Sequence, residues 1–276
     1  MTIMQKSSTS LLRQFVGSLV THRELTWTMT KRDVIGRYRG SFMGIAWSFF
    51  NPVLMLAVYT FVFSVAFKSK WSEGSDSRTE FAMVLFVGMI IYSLFSECIN
   101  RAPSLILSNI NYVKKVVFPL EILAWTSMGS ALFHMAISLF VWLIFYTALN
   151  FSLNWTILFL PLILLPLVMF IMGISWMLAS LGVYLRDMAQ VVGVVTTIMM
   201  FLSPVFYPVA SLPEKYRPLL YANPLTFIIE QARDVLIWGK LPNWTWLGIY
   251  ILGGALVAFA GFAWFQKTRK GFADVL

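Results

Sequence analysis

The stretch from Lys31 to Phe67 limits what this chain can fold into more than any other. Its first nine residues carry Lys31, Arg32, Arg37 and Arg39, and the 27 residues from Ser41 to Phe67 then carry no charge at all. About 20 apolar helical residues cross a bilayer core, so this run spans it with length to spare for tilt. Lys and Arg resist translocation, which keeps the basic cluster on the cytoplasmic side. The stretch reads as an anchored start followed by an inserted helix.

Composition carries that reading to the whole chain. Its 276 residues are 59% hydrophobic and 12% charged, with a mean hydropathy of +0.76. Soluble domains are about one quarter charged, so too little charge is present for a water-facing surface. A net charge of +9 raises nucleic acid as a partner. The basic residues sit beside apolar runs, however, which points to a membrane surface and not to nucleic acid. The single cysteine, Cys98, cannot form an internal disulfide. Arg13 and Gln14 interrupt the apolar run before residue 41, which argues against a cleaved signal peptide.

Taken in order, the chain predicts an all-α integral membrane protein, one permease-like domain over residues 1–276. Residues 10–30 read as an amphipathic helix on the membrane surface. Leu12, Phe15, Val16, Leu19 and Val20 share one face, with Arg13, Arg23 and Glu24 on the other and Trp27 at interfacial depth. Spans are expected over about 41–67, 81–98, 122–149, 155–185, 188–202 and 244–265. Pro161 and Pro166 should kink the fourth. The segment 203–243 is interrupted by Pro204, Pro208, Pro213, Pro218 and Pro224, so it predicts short outer helices that dip back toward the bilayer or, less readily, a hairpin lying on the surface. Six spans put both termini on one side. With the termini inside, the inner side holds 14 Lys and Arg and the outer side 7, the bias expected for cytoplasmic termini.

Absences narrow the function. No G-x-x-x-x-G-K-[ST] phosphate loop occurs, and no His, Cys and carboxylate cluster has metal-ligand spacing, so neither catalytic nor metal residues are assigned. Glu97 and Glu121 fall at helix ends, and His134 falls near the middle of a span. One histidine does not make a proton relay, so His134 is read as a satisfied bundle residue. Active transport would then draw its energy from another subunit. Gly36, Gly40, Gly44 and Ser48, each four apart, form a small-residue stripe that suits either internal packing or a subunit contact.

The run from Arg32 to Phe67 resembles the leading helix and first span of membrane subunits of polysaccharide-exporting ATP-binding-cassette transporters. The resemblance continues at Asn111-Tyr-Val-Lys-Lys-Val-Val-Phe-Pro, Tyr184-Leu-Arg-Asp-Met, Ser203-Pro-Val-Phe-Tyr-Pro, Leu212-Pro-Glu-Lys-Tyr-Arg, Asn223-Pro-Leu-Thr and the tail Gly271-Phe-Ala-Asp-Val-Leu. It implies a homodimer with a channel at its interface. It also implies two separate ATPase subunits that bind the ATP and Mg, and an undecaprenyl-diphosphate-linked polysaccharide as cargo, with O antigen favoured over capsule or teichoic acid. Arg32, Arg37 and Arg39 would meet either the diphosphate or ordinary anionic lipid. Asn111, Tyr112, Lys114 and Lys115 would dock the ATPase. Arg186 and Asp187 either join that contact or form a local ion pair. Pro204, Tyr207, Pro213, Asn223 and Pro224 mark an outer gate. Aromatic faces bind sugar rings without fixed hydrogen bonds. Trp47, Phe50 and Phe61 on one face of the first span, Tyr59 on another, and Tyr207 are therefore candidates for the substrate path, with Tyr59 the sharpest, although packing in the bundle or facing lipid is the commoner role for any one ring. The alternatives are a membrane enzyme acting on lipid-linked sugars, such as a glycosyltransferase or polymerase, or a flippase that needs no ATPase.

Overall fold

A computed structural model describes residues 17, 20–62, 78–114, 118–149 and 152–276. Every regular element among them is helical. Helix α1 is Arg23–Tyr38, and a turn leads through a short 3-10 element, Gly44–Ala46, into α2, Trp47–Tyr59. Helix α3 is Arg78–Arg101, α4 is Ile110–Lys114 and α5 is Ile122–Ala148. Helix α6 is Leu160–Tyr184, α7 is Met188–Phe201, and α8, Arg217–Tyr221, precedes α9, Pro224–Leu236. Helix α10 is Trp244–Thr268, and α11, Phe272–Val275, closes the chain.

Among the described residues, five segments are long and apolar enough to cross a membrane: Gly44–Val62, Thr79–Ser104, Ile122–Ala148, Trp155–Tyr184 and Trp244–Val275. Helix α7 is the shorter sixth. Its 14 residues rise about 21 Å, less than a bilayer core of about 30 Å. Past its C-terminal end the chain folds back, Asn223 donating to the Leu202 carbonyl at 3.2 Å. Asn223 caps α9 by accepting from the Leu225 N–H, while Pro224 sits in the first turn, where its missing N–H costs nothing. Nine of the 13 residues of α9 are buried, packed on α3 and α6, so this segment dips into the bundle as its amphipathic pattern predicts.

Within the helix expected at 10–30, residues 17, 20, 21 and 23–30 are helical, and α1 runs on to Tyr38, so most of the basic cluster also lies on a helix; Leu12, Phe15, Val16 and Leu19 lie outside the described residues. The small-residue stripe is not one helix face. Gly40 has φ +83° and Gly44 φ +53°, conformations that favour glycine, and they turn the chain between α1 and α2. Pro161 begins α6 rather than kinking it, and Pro166 lies within the helix.

Packing divides the helices sharply. Helix α3 is central, with 78% of its apolar window buried, whereas only 11% of the window around α2 is buried in this chain. Helices α6 and α10 approach until backbone meets backbone, because a side chain at Gly261 would run into the Gly173 carbonyl. Trp142 and Trp176 are fully buried, donating their indole N–H to the Met83 and Glu121 carbonyls at 3.1 Å each. The alternation of helices sets α1, α4, the 185–187 turn and the C-terminus at one end, with α9 at the other.

Candidate functional site

Two features meet where α1 crosses α3 and α5. The first is a clamp of charged side chains. Met29, Asp33 and Arg37 lie on one face of α1, and Thr30 on the same side packs against Gly129 of α5. Asp33 accepts from both terminal nitrogens of Arg101, at 2.9 and 2.8 Å, and from the Ser130 hydroxyl at 2.7 Å. Glu97, one turn before Arg101 on α3, pairs with Arg37 at 2.7 Å and with His134 Nδ1 at 3.0 Å. With the His134 proton assigned to Nδ1, Nε2 accepts from the Tyr38 hydroxyl at 3.1 Å. Burial opposes the Asp33 charge, but the hydrogen bonds from Arg101 and Ser130 outweigh it and hold the carboxyl below its usual range. His134 is satisfied within the bundle, as its sequence context predicts.

The second feature is a groove of about 230 Å³ that runs from this clamp into the membrane-spanning part. Ser48, Asn51, Met55 and Tyr59 supply the α2 wall, at spacings that keep them on one face; Phe86, Ile90, Ser93 and Glu97 supply the α3 wall. Among the described residues, the side chains of Asn51, Tyr59 and Ser93 have no hydrogen-bond partner. Polar groups left unpaired at bilayer depth are costly unless water or a polar ligand serves them. This wall is built to face something polar.

The expected path residues part company here. Tyr59 lines the groove, whereas Phe50 and Phe61 are 42% and 63% exposed on another side, and Trp47 is half-buried away from it. Tyr207 lies at the far end, its hydroxyl donating to the Phe201 carbonyl at 2.7 Å. Of the three arginines, Arg37 is tied to Glu97, while Arg32 and Arg39 are exposed and carry no ion pair among the described residues. Asn111 and Lys114 are exposed on α4, and Tyr112 stacks on Phe118 with ring centroids 4.4 Å apart. Lys115 lies outside the described residues. Arg186 and Asp187 are exposed at the same end and make no ion pair with each other. At that far end Pro204 and Asn223 are buried and Pro213 is exposed.

Sequence reasoning passed over Asp33, Arg101, Ser130 and Arg233. Arg233 is 3% exposed and donates to the carbonyls of Val84, Pro204 and Val205 at 3.0, 2.6 and 2.9 Å. Asp33, the one acid in a basic run, was the available signal.

Comparison with known proteins agrees with this architecture. The chain is 26% identical over 263 residues to the O-antigen export system permease protein RfbA of Myxococcus xanthus, covering 95% of this chain and 98% of the relative. It is 26% identical over 255 residues to the protein of that name from Klebsiella pneumoniae, covering 92% and 95%. With the polysialic acid transport protein KpsM of Escherichia coli it shares 23% over 242 residues, covering 87% and 90%. Residues 24–237, from the start of α1 through the end of α9, match a single family model, and the chain belongs to the ABC-2 type transporter family.

Proposed function

We propose that this chain is the channel-forming subunit of an ATP-driven exporter, moving lipid-linked polysaccharide, O antigen foremost, from the cytoplasmic to the outer side of the bacterial inner membrane. The observation that carries the reading is similarity along nearly the whole of both chains to permeases named for O-antigen export. Two copies pair, both termini are cytoplasmic, and two ATPase subunits bind ATP and Mg and dock near α4 and the Arg186–Asp187 turn.

The groove gives this function a physical route. A polysaccharide presents hydroxyls and C–H faces in alternation. Tyr59 and Phe86 offer ring faces, and Asn51 and Ser93 offer unpaired hydrogen-bonding groups beside them. Such contacts are weak and repeated, which lets a polymer slide without being trapped. A membrane enzyme is disfavoured because its candidate carboxylates are spent elsewhere: Glu97 on Arg37 and His134, and Glu121 on Arg269 at 2.9 Å.

The test is removal of the chain from a host that makes such a polymer, with surface and intracellular lipid-linked polymer measured together. Loss at the surface with accumulation inside is expected. Normal surface polymer would overturn the reading.

A further inference from the structure

A second cavity, of about 590 Å³, lies on the other side of the clamp, between α1, the 101–112 segment and the first turns of α5. Its rim holds Arg32, Arg37 and Arg101 against one acid, Asp33, and its floor is the apolar trio Met29, Leu105 and Leu123. Asp33 is already bound to Arg101, and Arg37 to Glu97, which leaves Arg32 as the cation of this rim with no ion pair among the described residues. Ser127, 2% exposed, also lines the cavity, and its hydroxyl has no hydrogen-bond partner among the described residues. An unpaired buried hydroxyl is expensive, so its presence here points to an absent polar occupant. One wall is open by construction, since a Cβ at Gly36 would meet nothing within 4 Å.

We infer that this cavity binds an anionic glycerophospholipid of the surrounding leaflet. Its phosphate sits on the Arg32 and Arg37 rim, its glycerol oxygens meet Ser127, and its upper acyl carbons rest on Met29, Leu105 and Leu123. Charge complementarity selects an anion, and the apolar floor selects an anion that carries a chain. The volume falls in the range of small-molecule sites. The clamp selects a resident lipid over a moving substrate. Arg37 lines both cavities, while Glu97 and His134 face only the groove and Asp33 and Arg101 only this cavity. The bonded side chains therefore partition the two spaces, and a polymer travelling the groove does not pass through this one. The site does not depend on what the groove carries.

The experiment uses the full-length chain extracted in mild detergent, with bound lipid counted by native mass spectrometry after addition of phosphatidylglycerol or phosphatidylcholine. Phosphatidylglycerol should be retained about tenfold more strongly. Arg32→Gln should remove that preference, and Arg39→Gln, an exposed arginine outside the cavity, should keep it. Gly36→Leu fills the space without changing charge and places a better helix former at the position, so it should fold and lose the lipid. Equal retention of the two lipids, or an unchanged preference in both Arg32→Gln and Gly36→Leu, overturns the inference. Displacement by millimolar inorganic phosphate would assign the site to a soluble anion, and displacement by equimolar undecaprenyl diphosphate would assign it to the cargo; either overturns the resident lipid.

Discussion

The guanidinium of Arg233 occupies the space that a side chain at residue 88 would need: a Cβ built on Gly88 would lie 2.6 Å from its Nη2. Helix α9 is thereby bolted to α3 from within. Arg233 donates to the carbonyls of Val84, Pro204 and Val205, so it joins the segment before α9 to α3 through hydrogen bonds. Replacing Arg233 by Met should strand the Pro204 and Val205 carbonyls and cost about 2–4 kcal/mol, read as a lower denaturation midpoint in detergent. Gly88→Val should have an effect of similar size by displacing the guanidinium. A midpoint unchanged in both variants would show that the bolt carries no stability.

Acid should loosen the clamp. The folded Asp33 carboxyl is more acidic than the unfolded one, so its contribution is complete above the ordinary carboxylate range and fades as pH falls into and below it. Wild-type protein should lose stability on acidification below about pH 4 more steeply than Asp33→Asn, which lacks this proton uptake. At neutral pH the variant should be less stable by about 1.5–3 kcal/mol, since Arg101 and Ser130 lose a charged acceptor. Parallel pH curves for the two proteins would refute the assignment.

Tyr59→Ala should reduce surface polymer by roughly 5–10-fold, the scale of one lost ring contact. Tyr59→Phe should fall between that and wild type, because the ring remains. Phe50→Ala and Phe61→Ala, whose rings face away from the groove, should export normally. Subunit level and basal ATPase activity measured alongside separate a path defect from loss of protein. Normal export by Tyr59→Ala removes the groove from the path.

Charge reversal at Lys114 and Lys115 should lower polymer-stimulated ATPase activity by about tenfold while the chain still inserts, the change expected when complementary interface charges are made to repel. Undiminished coupling in that variant would place the ATPase elsewhere.

Cysteines introduced along the outer segment, with Cys98 replaced, should divide by burial. Tyr216, Leu219 and Tyr221, each more than half exposed, should label from outside, and Ile228, Ile229 and Val235, at most 1% exposed, should not. Uniform labelling would mean that α9 is not seated in the bundle.

The spans were legible because absence of charge over 16 or more residues is a property of the chain alone. The α1–α2 turn was not, because Gly36, Gly40, Gly44 and Ser48 satisfy a four-residue spacing whether the backbone is helical or broken. Only φ distinguishes a small residue used for contact from one used for a left-handed turn. Tyr59 was reachable from its depth and its hydroxyl. The clamp was not, since Asp33 and Arg101 stand 68 residues apart and either reads alone as ordinary surface charge. Arg233 resembles the polar side of an amphipathic helix until α3 is placed beside it.

The clamp also has a chronology. Asp33 is synthesised first, Arg101 arrives 68 residues later and Ser130 97 residues later. At roughly 5–20 residues per second, α1 waits about 5–20 s for its anchors. Through that interval α2 is already in the lipid with little of its own chain to lean on, and Arg37 and Asp33 on α1 have no bonded partner from α3 or α5. A translocon or membrane chaperone that reads unpaired charge beside a lone apolar helix would therefore distinguish the unfinished chain from the finished one, and the ribosome's progress past residue 130 is the event that clears the signal.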